Sequence, residues 1–292
     1  MKHWERTADY EKDLDYCPHD FPRSHSTTHR SYGLVLGLLF LTVFSLGFRM
    51  VYVNAYDRAS EETGAFGSIM VNEGVNVLML AGLYAVTFLS AAMGALLGAD
   101  TLSGEIISGT IQTIVTKPVR RSNVVLGKWL GFAILLAGYS LLMSGGTVLS
   151  VWIQSGYAAR NVLQGLLLIY LESLLIMTIS LSCSSFLSGL ATGGVVFGLY
   201  GMSFIGGWVE QIGAVFQNQT AIRVGIVTSL IIPSEALWRR AAFEMQSPIS
   251  GALGMSPFGT TSVPSPLMIG YAVFYLVVAL MAAVSIFNQR DL

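Results

Sequence analysis

A serine and a glutamate inside long apolar stretches are the first candidates for chemistry in this chain. Ser203 lies in the string Gly-Met-Ser-Phe (201–204), which suits a membrane-embedded serine nucleophile if a histidine on a neighbouring helix can activate it. All four histidines lie within residues 3–29, so no apolar stretch supplies such a base. We therefore interpret Ser203 as a small packing residue and rank an intramembrane protease third among the functions considered.

Glu172 is the one acidic residue near the middle of an apolar stretch. An ionised carboxylate is costly in lipid, so we expect this side chain to face protein or water, or to be protonated. Two roles stay open. It could contact a substrate or a mobile proton, or it could form a hydrogen bond with an adjacent helix.

Binding of nucleotide or metal by the chain itself is not predicted. A phosphate-binding loop needs Gly-Lys followed by Ser or Thr, whereas Gly127-Lys128 is followed by Trp129. The N-terminal tail holds the histidines and Cys17, which are suitable metal ligands, but their spacing fits no zinc pattern. A solvated tail, or an interfacial helix over residues 4–14, is favoured over a metal sensor.

The polar segment 103–128, which interrupts the apolar chain, is a candidate for partner binding. Ser103 can cap a short helix with Glu105 in its first turn, and Lys117-Pro118 ends it. Apolar residues between 102 and 115 recur at helical spacing, which predicts a short amphipathic helix at the membrane face. It could lie on lipid or insert into a cytoplasmic partner, and periodicity does not separate the two.

The elements around these residues are predicted to be membrane-spanning helices. The chain is 53% hydrophobic and 11% charged, and its net charge of -1 does not favour nucleic acid. About 20 apolar residues cross a bilayer as a helix, so we predict an all-α polytopic membrane protein. Its six spans are 33–53, 75–97, 124–152, 163–183, 189–209 and 267–287.

The loop between spans five and six has an organisation of its own. Residues 214–232 are long enough to cross but carry Arg223 and three amides, so we predict an interfacial or re-entrant segment. Ser234 is predicted to cap the next helix, and Trp238 to lie at the membrane interface. Small-residue pairs four apart predict close helix contacts; they are Gly33/Gly37, Gly94/Gly98, Gly189/Gly193 and Gly194/Gly198.

The positions of Lys and Arg predict that both termini are cytoplasmic. This orientation places ten of the sixteen basic residues inside and six outside. The inner group is Lys2, Arg6, Lys12, Arg23, Arg30, Lys117, Arg120, Arg121, Lys128 and Arg290. The segment 98–123 then also lies in the cytoplasm.

The string GEIISGTIQTIVTKPVRRSNVVLGK resembles the stretch between spans two and three of type-2 ABC transporter permeases. An acidic residue, Ser-Gly-Thr, a short apolar run, a Pro flanked by basic residues, an Arg and Gly-Lys follow in the same order. The resemblance covers most of the chain, with a Ser-rich turn (LSCSSFLSG) after span four and a charged NQRDL at the C-terminus. It is strongest with small permeases similar to the nitrous-oxide-reductase accessory permease.

The resemblance implies a permease subunit, not an enzyme, whose coupling helix docks on a separate ATPase subunit that binds ATP and Mg. The implied docking or elbow residues are Glu105, Gly109, Thr110, Lys117, Pro118, Arg120, Arg121 and Lys128. The implied assembly has two permease chains, identical or different, in the plasma or inner membrane of a prokaryote, with export as the direction. Glu172 is then the candidate translocation-path residue.

These inferences divide the chain into a cytoplasmic polar tail, 1–32, and a six-span transmembrane domain, 33–292. The alternative function is a membrane anchor or signalling protein that recruits a cytoplasmic partner without moving a solute. No residue in the spans selects a substrate.

Overall fold

The computed structural model of the chain describes residues 25–62, 64–99, 101, 121–249 and 262–289. Over these residues the fold is all-α, as predicted, and contains no strand. The helices are, in chain order, α1 His25–Glu62, α2 Gly64–Ala99, α3 Arg121–Ser140, α4 Gly146–Ser155, α5 Val162–Ser184, α6 Gly189–Val215, α7 Gln219–Ile231, α8 Ser234–Met245 and α9 Leu267–Gln289. A π-helical turn, Leu141–Gly145, joins α3 to α4.

Six helical stretches of the described chain are long and apolar enough to cross a membrane, which confirms the predicted spans. They are Gly33–Asp57, Ile69–Ala99, Ser122–Ser155, Val162–Ser184, Gly189–Val215 and Leu267–Gln289. α1 begins at His25, so the first helix starts before its apolar span. The division of the chain at residue 32 stays a prediction.

α5, the fourth span, lies at the centre of the bundle and is the most buried of the six. α2 packs on it through Gly94 and Gly98, as the small-residue spacing predicts. A Cβ atom added to Gly98 would lie 2.6 Å from the Cβ of Ser180, so the two helices can approach only without a side chain here. Gly193, Gly194 and Gly198 of α6 differ, because an added Cβ there meets no heavy atom of the described residues within 4 Å.

The first and last spans reach the same end of the bundle as the polar segment between α2 and α3. At this end, which we call the segment end, Val125 of α3 packs with Leu181 of α5 and Phe287 of α9. Gly33 of α1 lies against Met93 near the end of α2. The opposite end, which carries the turn from α4 to α5, is called the loop end.

α7 and α8 form a re-entrant hairpin that enters and leaves the bundle at the loop end. The two helices are bent by 107° at their junction. α7 follows directly on the loop end of α6, where the Asn218 side chain caps it by accepting hydrogen bonds from two backbone N–H groups. After α8, the backbone N–H of Ser247 donates to Asn76, near the loop end of α2. Two forms were predicted for 214–232, interfacial and re-entrant, and the structure shows the re-entrant one.

Two local predictions in the hairpin are wrong. Ser234 is the first residue of α8, after Pro233, and its hydroxyl donates to the Ser203 hydroxyl instead of capping the helix. Trp238 is 1% exposed, with its ring centroid 5.0 Å from that of Tyr84. The reason is the same for both, since the tip of the hairpin is buried in the bundle and does not lie at its surface.

Candidate functional site

Most of the predicted coupling residues lie outside the described residues. These are Glu105, Gly109, Thr110, Lys117, Pro118 and Arg120. Arg121 is described only as the first residue of α3, whereas Lys128 is described in full. The structure therefore shows the two flanks of the segment, which are the end of α2 with Thr101 and the start of α3, and the residues that these flanks contact.

The flanks of the segment meet at the segment end of the bundle. The Lys128 ammonium of α3 lies 3.5 Å from the backbone oxygen of Thr101, which it can reach as a donor. The Thr101 hydroxyl in turn donates to the backbone oxygen of Leu97, in the last turn of α2. The chain therefore leaves α2 and returns to α3 at neighbouring points.

Both flanks are fixed to one short stretch of the central helix α5. On the α2 side, Gly98 contacts Ser180, whose hydroxyl donates to the backbone oxygen of Ala95 at 2.6 Å. On the α3 side, the Trp129 indole N–H donates to the Thr178 hydroxyl at 2.9 Å. Because protein interiors are close-packed, a displacement of either flank would be passed to α5.

Glu172 lies on the same helix, less than two turns from Thr178, and is 1% exposed. Its ionisable neighbours include Tyr200 of α6 and Glu235 of α8. Within the described part of the chain, neither carboxylate oxygen of Glu172 makes a hydrogen bond of normal geometry, although the Tyr200 side chain is close enough to interact with the carboxylate. The side chain faces protein, which is one of the two environments predicted for it.

The hairpin brings a buried ion pair into the bundle. Arg239 of α8 places its Nη1 2.6 Å from Oε1 of Glu210, and its Nη2 2.9 Å from Oε2. The same Nη2 is 3.3 Å from the Ser229 hydroxyl of α7, and the Ser262 hydroxyl donates to Glu210 at 2.8 Å. This cluster therefore ties both helices of the hairpin to α6.

Glu235, next to this pair, is held by an aromatic side chain. The Tyr84 hydroxyl donates to Oε1 of Glu235 at 3.2 Å and accepts a hydrogen bond from the Trp208 indole at 2.9 Å. The sequence analysis did not predict this network, and it counted Arg239 among the six basic residues on the outer side of the membrane. Spacing alone pairs Glu235 with Arg239 at i,i+4, but the fold gives Arg239 a partner on another helix.

Ser203 is placed where it supports packing. Its hydroxyl donates to the backbone oxygen of Ile232 at 2.9 Å and accepts from Ser234, so it holds the tip of the hairpin against α6. Among the described residues, no group of three His, Cys, Asp or Glu side chains could hold a metal ion. The side chains of the N-terminal histidines lie outside the described residues.

Comparison with known proteins identifies a family. A family model described as ABC-2 family transporter protein matches residues 25–292, which include the nine helices of the described residues. No curated protein matches the chain. The match leaves the resemblance to the nitrous-oxide-reductase accessory permease group as a prediction.

Proposed function

Since the chain belongs to the ABC-2 family of transporter proteins, and is thus the membrane permease component of an ABC transporter, we propose that a separate ATPase subunit drives it through the segment between α2 and α3. In this proposal the ATPase binds ATP and Mg, and its closure pushes the segment as a lever. The spans then open a path alternately to the two sides of the membrane.

One observation carries this proposal: both flanks of the segment are fixed to α5. Ser180 and Thr178, which contact α2 and α3, lie within one turn of the same helix. α5 is the most buried span, and α2, α8 and α9 also pack on it. A push on the segment would therefore reach the centre of the bundle and not a peripheral helix.

The chemistry of the segment suits an acidic groove on a partner. Arg120 and Arg121 can form paired hydrogen bonds with carboxylates, which lysine cannot do in the same geometry. Pro118 gives a stiff corner before them, and Gly109 allows close backbone approach. Glu105, Thr110 and Lys117 complete the proposed contact surface, and Lys128 supports its elbow from α3.

The proposed assembly has two permease chains, identical or different, and two ATPase chains. α6 offers a surface for the second permease, because its glycine stripe faces away from its own chain. The segment end is proposed to face the cytoplasm of a prokaryotic cell, and export is the proposed direction of transport.

Glu172 is proposed to join the translocation path when α5 moves. Support comes from a buried carboxylate that makes no hydrogen bond of normal geometry within the described part of the chain, although the Tyr200 side chain lies close to it. A residue kept at such a cost in the membrane is a candidate for function. A Glu172→Gln variant is expected to bind the ATPase normally but to stimulate it less than the wild-type chain does.

Charge reversal tests the docking site. Arg120→Glu with Arg121→Glu should abolish co-purification of the ATPase and its stimulation, because each substitution places an acid against an acidic groove. The matched control is Arg160→Glu with Arg223→Glu, which reverses two exposed charges away from the segment. The control should insert into the membrane, bind the ATPase and stimulate it as the wild-type chain does.

Two outcomes would contradict the proposal. Normal stimulation by the Arg120/Arg121 variant would show that the segment is not the docking site. The second outcome is that the two subunits co-purify but vesicles that hold both of them do not transport any of a panel of amphiphiles when ATP is added. That result would support the anchor or signalling role instead.

A further inference from the structure

A groove between α1 and α4 opens at the side of the bundle, towards the loop end. Its volume is about 730 Å³, which is within the range of ligand sites of roughly 300–1,000 Å³. One wall comes from α1 between Ser45 and Val53, and the other from α4 between Gly146 and Gln154. Both helices belong to candidate membrane spans, so we expect the groove to open towards lipid.

The groove holds one cationic side chain, Arg49. Arg49 is exposed and has no ion-pair partner among the described residues. It lies sixteen residues after Gly33, where the first span begins. At about 1.5 Å per residue this is about 24 Å along the helix, close to the far edge of a hydrocarbon core about 30 Å thick. The backbone of Arg49 is therefore about 6 Å, roughly one helical turn, short of that edge, and its long side chain can extend from there to the lipid phosphates of the loop-end leaflet.

The floor of the groove is polar and ordered. The Gln154 side-chain amide of α4 donates to the Ser45 hydroxyl at 3.0 Å and to the Ser45 backbone oxygen at 3.3 Å. It also donates to the Ser150 hydroxyl at 2.9 Å. These bonds hold the two walls at a fixed separation, so the groove is a built feature of the fold and not a gap between unconnected helices.

The rim of the groove is apolar. Leu46, Leu149 and Ile153 line it and are each more than half exposed. Tyr52 adds an amphipathic ring at the same level, which is typical of the membrane interface. A cation above a polar floor, with apolar side chains beside it, matches a molecule that has an anionic head and hydrocarbon chains.

We propose that this groove binds one phospholipid, with its phosphate against Arg49 and an acyl chain along Leu46, Leu149 and Ile153. A guanidinium binds phosphate through paired, charge-assisted hydrogen bonds, which are stronger than neutral ones. At this depth the bilayer itself supplies the phosphate. A second copy of the chain fits the groove less well, because it would have to supply both a carboxylate for Arg49 and a protruding segment that fills the groove. The lipid is a bound component of the permease in this proposal, whatever substrate the complex moves.

Native mass spectrometry of the purified chain, titrated with phosphatidylglycerol, tests the proposal. Arg49→Gln should weaken the tightest lipid-binding step about tenfold, as expected for the loss of one charge-assisted contact. Arg49→Lys should lose less, since it keeps the charge but not the fork geometry. The matched control Arg160→Gln, which removes an exposed charge outside the groove, should bind as the wild-type chain does. Diacylglycerol, which lacks the phosphate, should bind weakly to all four chains.

A second variant fills the groove and leaves Arg49 in place. Leu149→Trp adds volume at an exposed position, so the fold should tolerate it while phosphatidylglycerol binding falls. The thermal midpoint of each variant in the same detergent shows whether it has folded.

Three results would overturn the proposal. Equal losses in Arg49→Gln and Arg160→Gln would show non-specific attraction, and competition by inorganic phosphate at millimolar concentration would show a free-anion site. A change from dimer to monomer in Arg49→Gln without a change in lipid binding would assign the groove to a second copy. None of these measurements involves ATP or the ATPase, so they succeed or fail independently of the proposed coupling.

Discussion

At the scale of single residues, the buried charges of the bundle differ in whether they have a partner. Glu210 and Arg239 form an ion pair, and hydroxyls of Ser229 and Ser262 satisfy further atoms of the pair. Glu172 is equally buried, but among the described residues it has no ion-pair partner, and its oxygens make no hydrogen bond of normal geometry. The same substitution should therefore destabilise the chain at Glu210 but not at Glu172.

Glu210→Gln should destabilise the folded chain strongly, by about 3–5 kcal/mol, because it leaves the Arg239 cation buried without a carboxylate. Glu172→Gln should leave stability unchanged or raise it, because it replaces a buried carboxyl that has no ion-pair partner among the described residues with a neutral amide of the same size. The thermal midpoints of the two variants and the wild-type chain, measured in one detergent, check this contrast. A loss of equal size in both would contradict it and indicate a partner for Glu172.

At the scale of elements, identical glycine spacings have different roles in α2 and α6. In α2 the glycines let the helix touch α5, where Gly94 would place an added Cβ 2.8 Å from the backbone oxygen of Ser173. In α6 the stripe of Gly194 and Gly198 faces away from the other described helices. The pattern predicts a close contact in both helices, but it does not identify the partner.

Gly98→Val should lower the thermal midpoint, because the new side chain meets Ser180 and the backbone nitrogen of Leu181, 2.8 Å away, and forces α2 off α5. Overpacking of this kind costs typically about 1–3 kcal/mol. Gly198→Val is the matched control on α6. The monomeric form of this variant should unfold at the same temperature as the monomeric wild-type chain. Equal midpoints for the two variants would show that α2 and α5 do not depend on this contact.

At the scale of the whole molecule, the hairpin decides how many times the chain crosses the membrane. Asn218 precedes α7, and Ser247 follows α8 and contacts Glu73 of α2. Both lie at the loop end, so the hairpin adds no seventh crossing. An odd number of crossings would have put the two termini on opposite sides.

Cysteine labelling on intact cells checks this topology. In a chain with Cys17→Ser and Cys183→Ser, an impermeant maleimide should label Asn218→Cys and Ile249→Cys from outside. Asn123→Cys at the segment end should react only after the membrane is opened. Labelling of 218 and 249 from opposite sides would indicate a seventh crossing, and labelling of 123 from outside would reverse the proposed orientation.

The candidate site could be predicted in part. Glu172 was found because an acid in an apolar run is conspicuous, and the structure buries it as expected. The pairing of Glu210 with Arg239 could not be found, because the partners are 29 residues apart and each also has closer candidate partners along the chain. The coupling role of residues 103–121 rests on resemblance and stays a prediction.

The amino-acid sequence by itself determined the all-α class and the six spans, and it limited 214–232 to an interfacial or a re-entrant segment. These follow from local hydropathy, because lipid offers no hydrogen bonds and so permits only helices of a certain length. The tertiary structure alone decided that α5 is central, that Trp238 is buried and that a groove opens beside Arg49. Hydropathy shows that a residue avoids water, but lipid and protein neighbours satisfy that condition equally, and only packing distinguishes them.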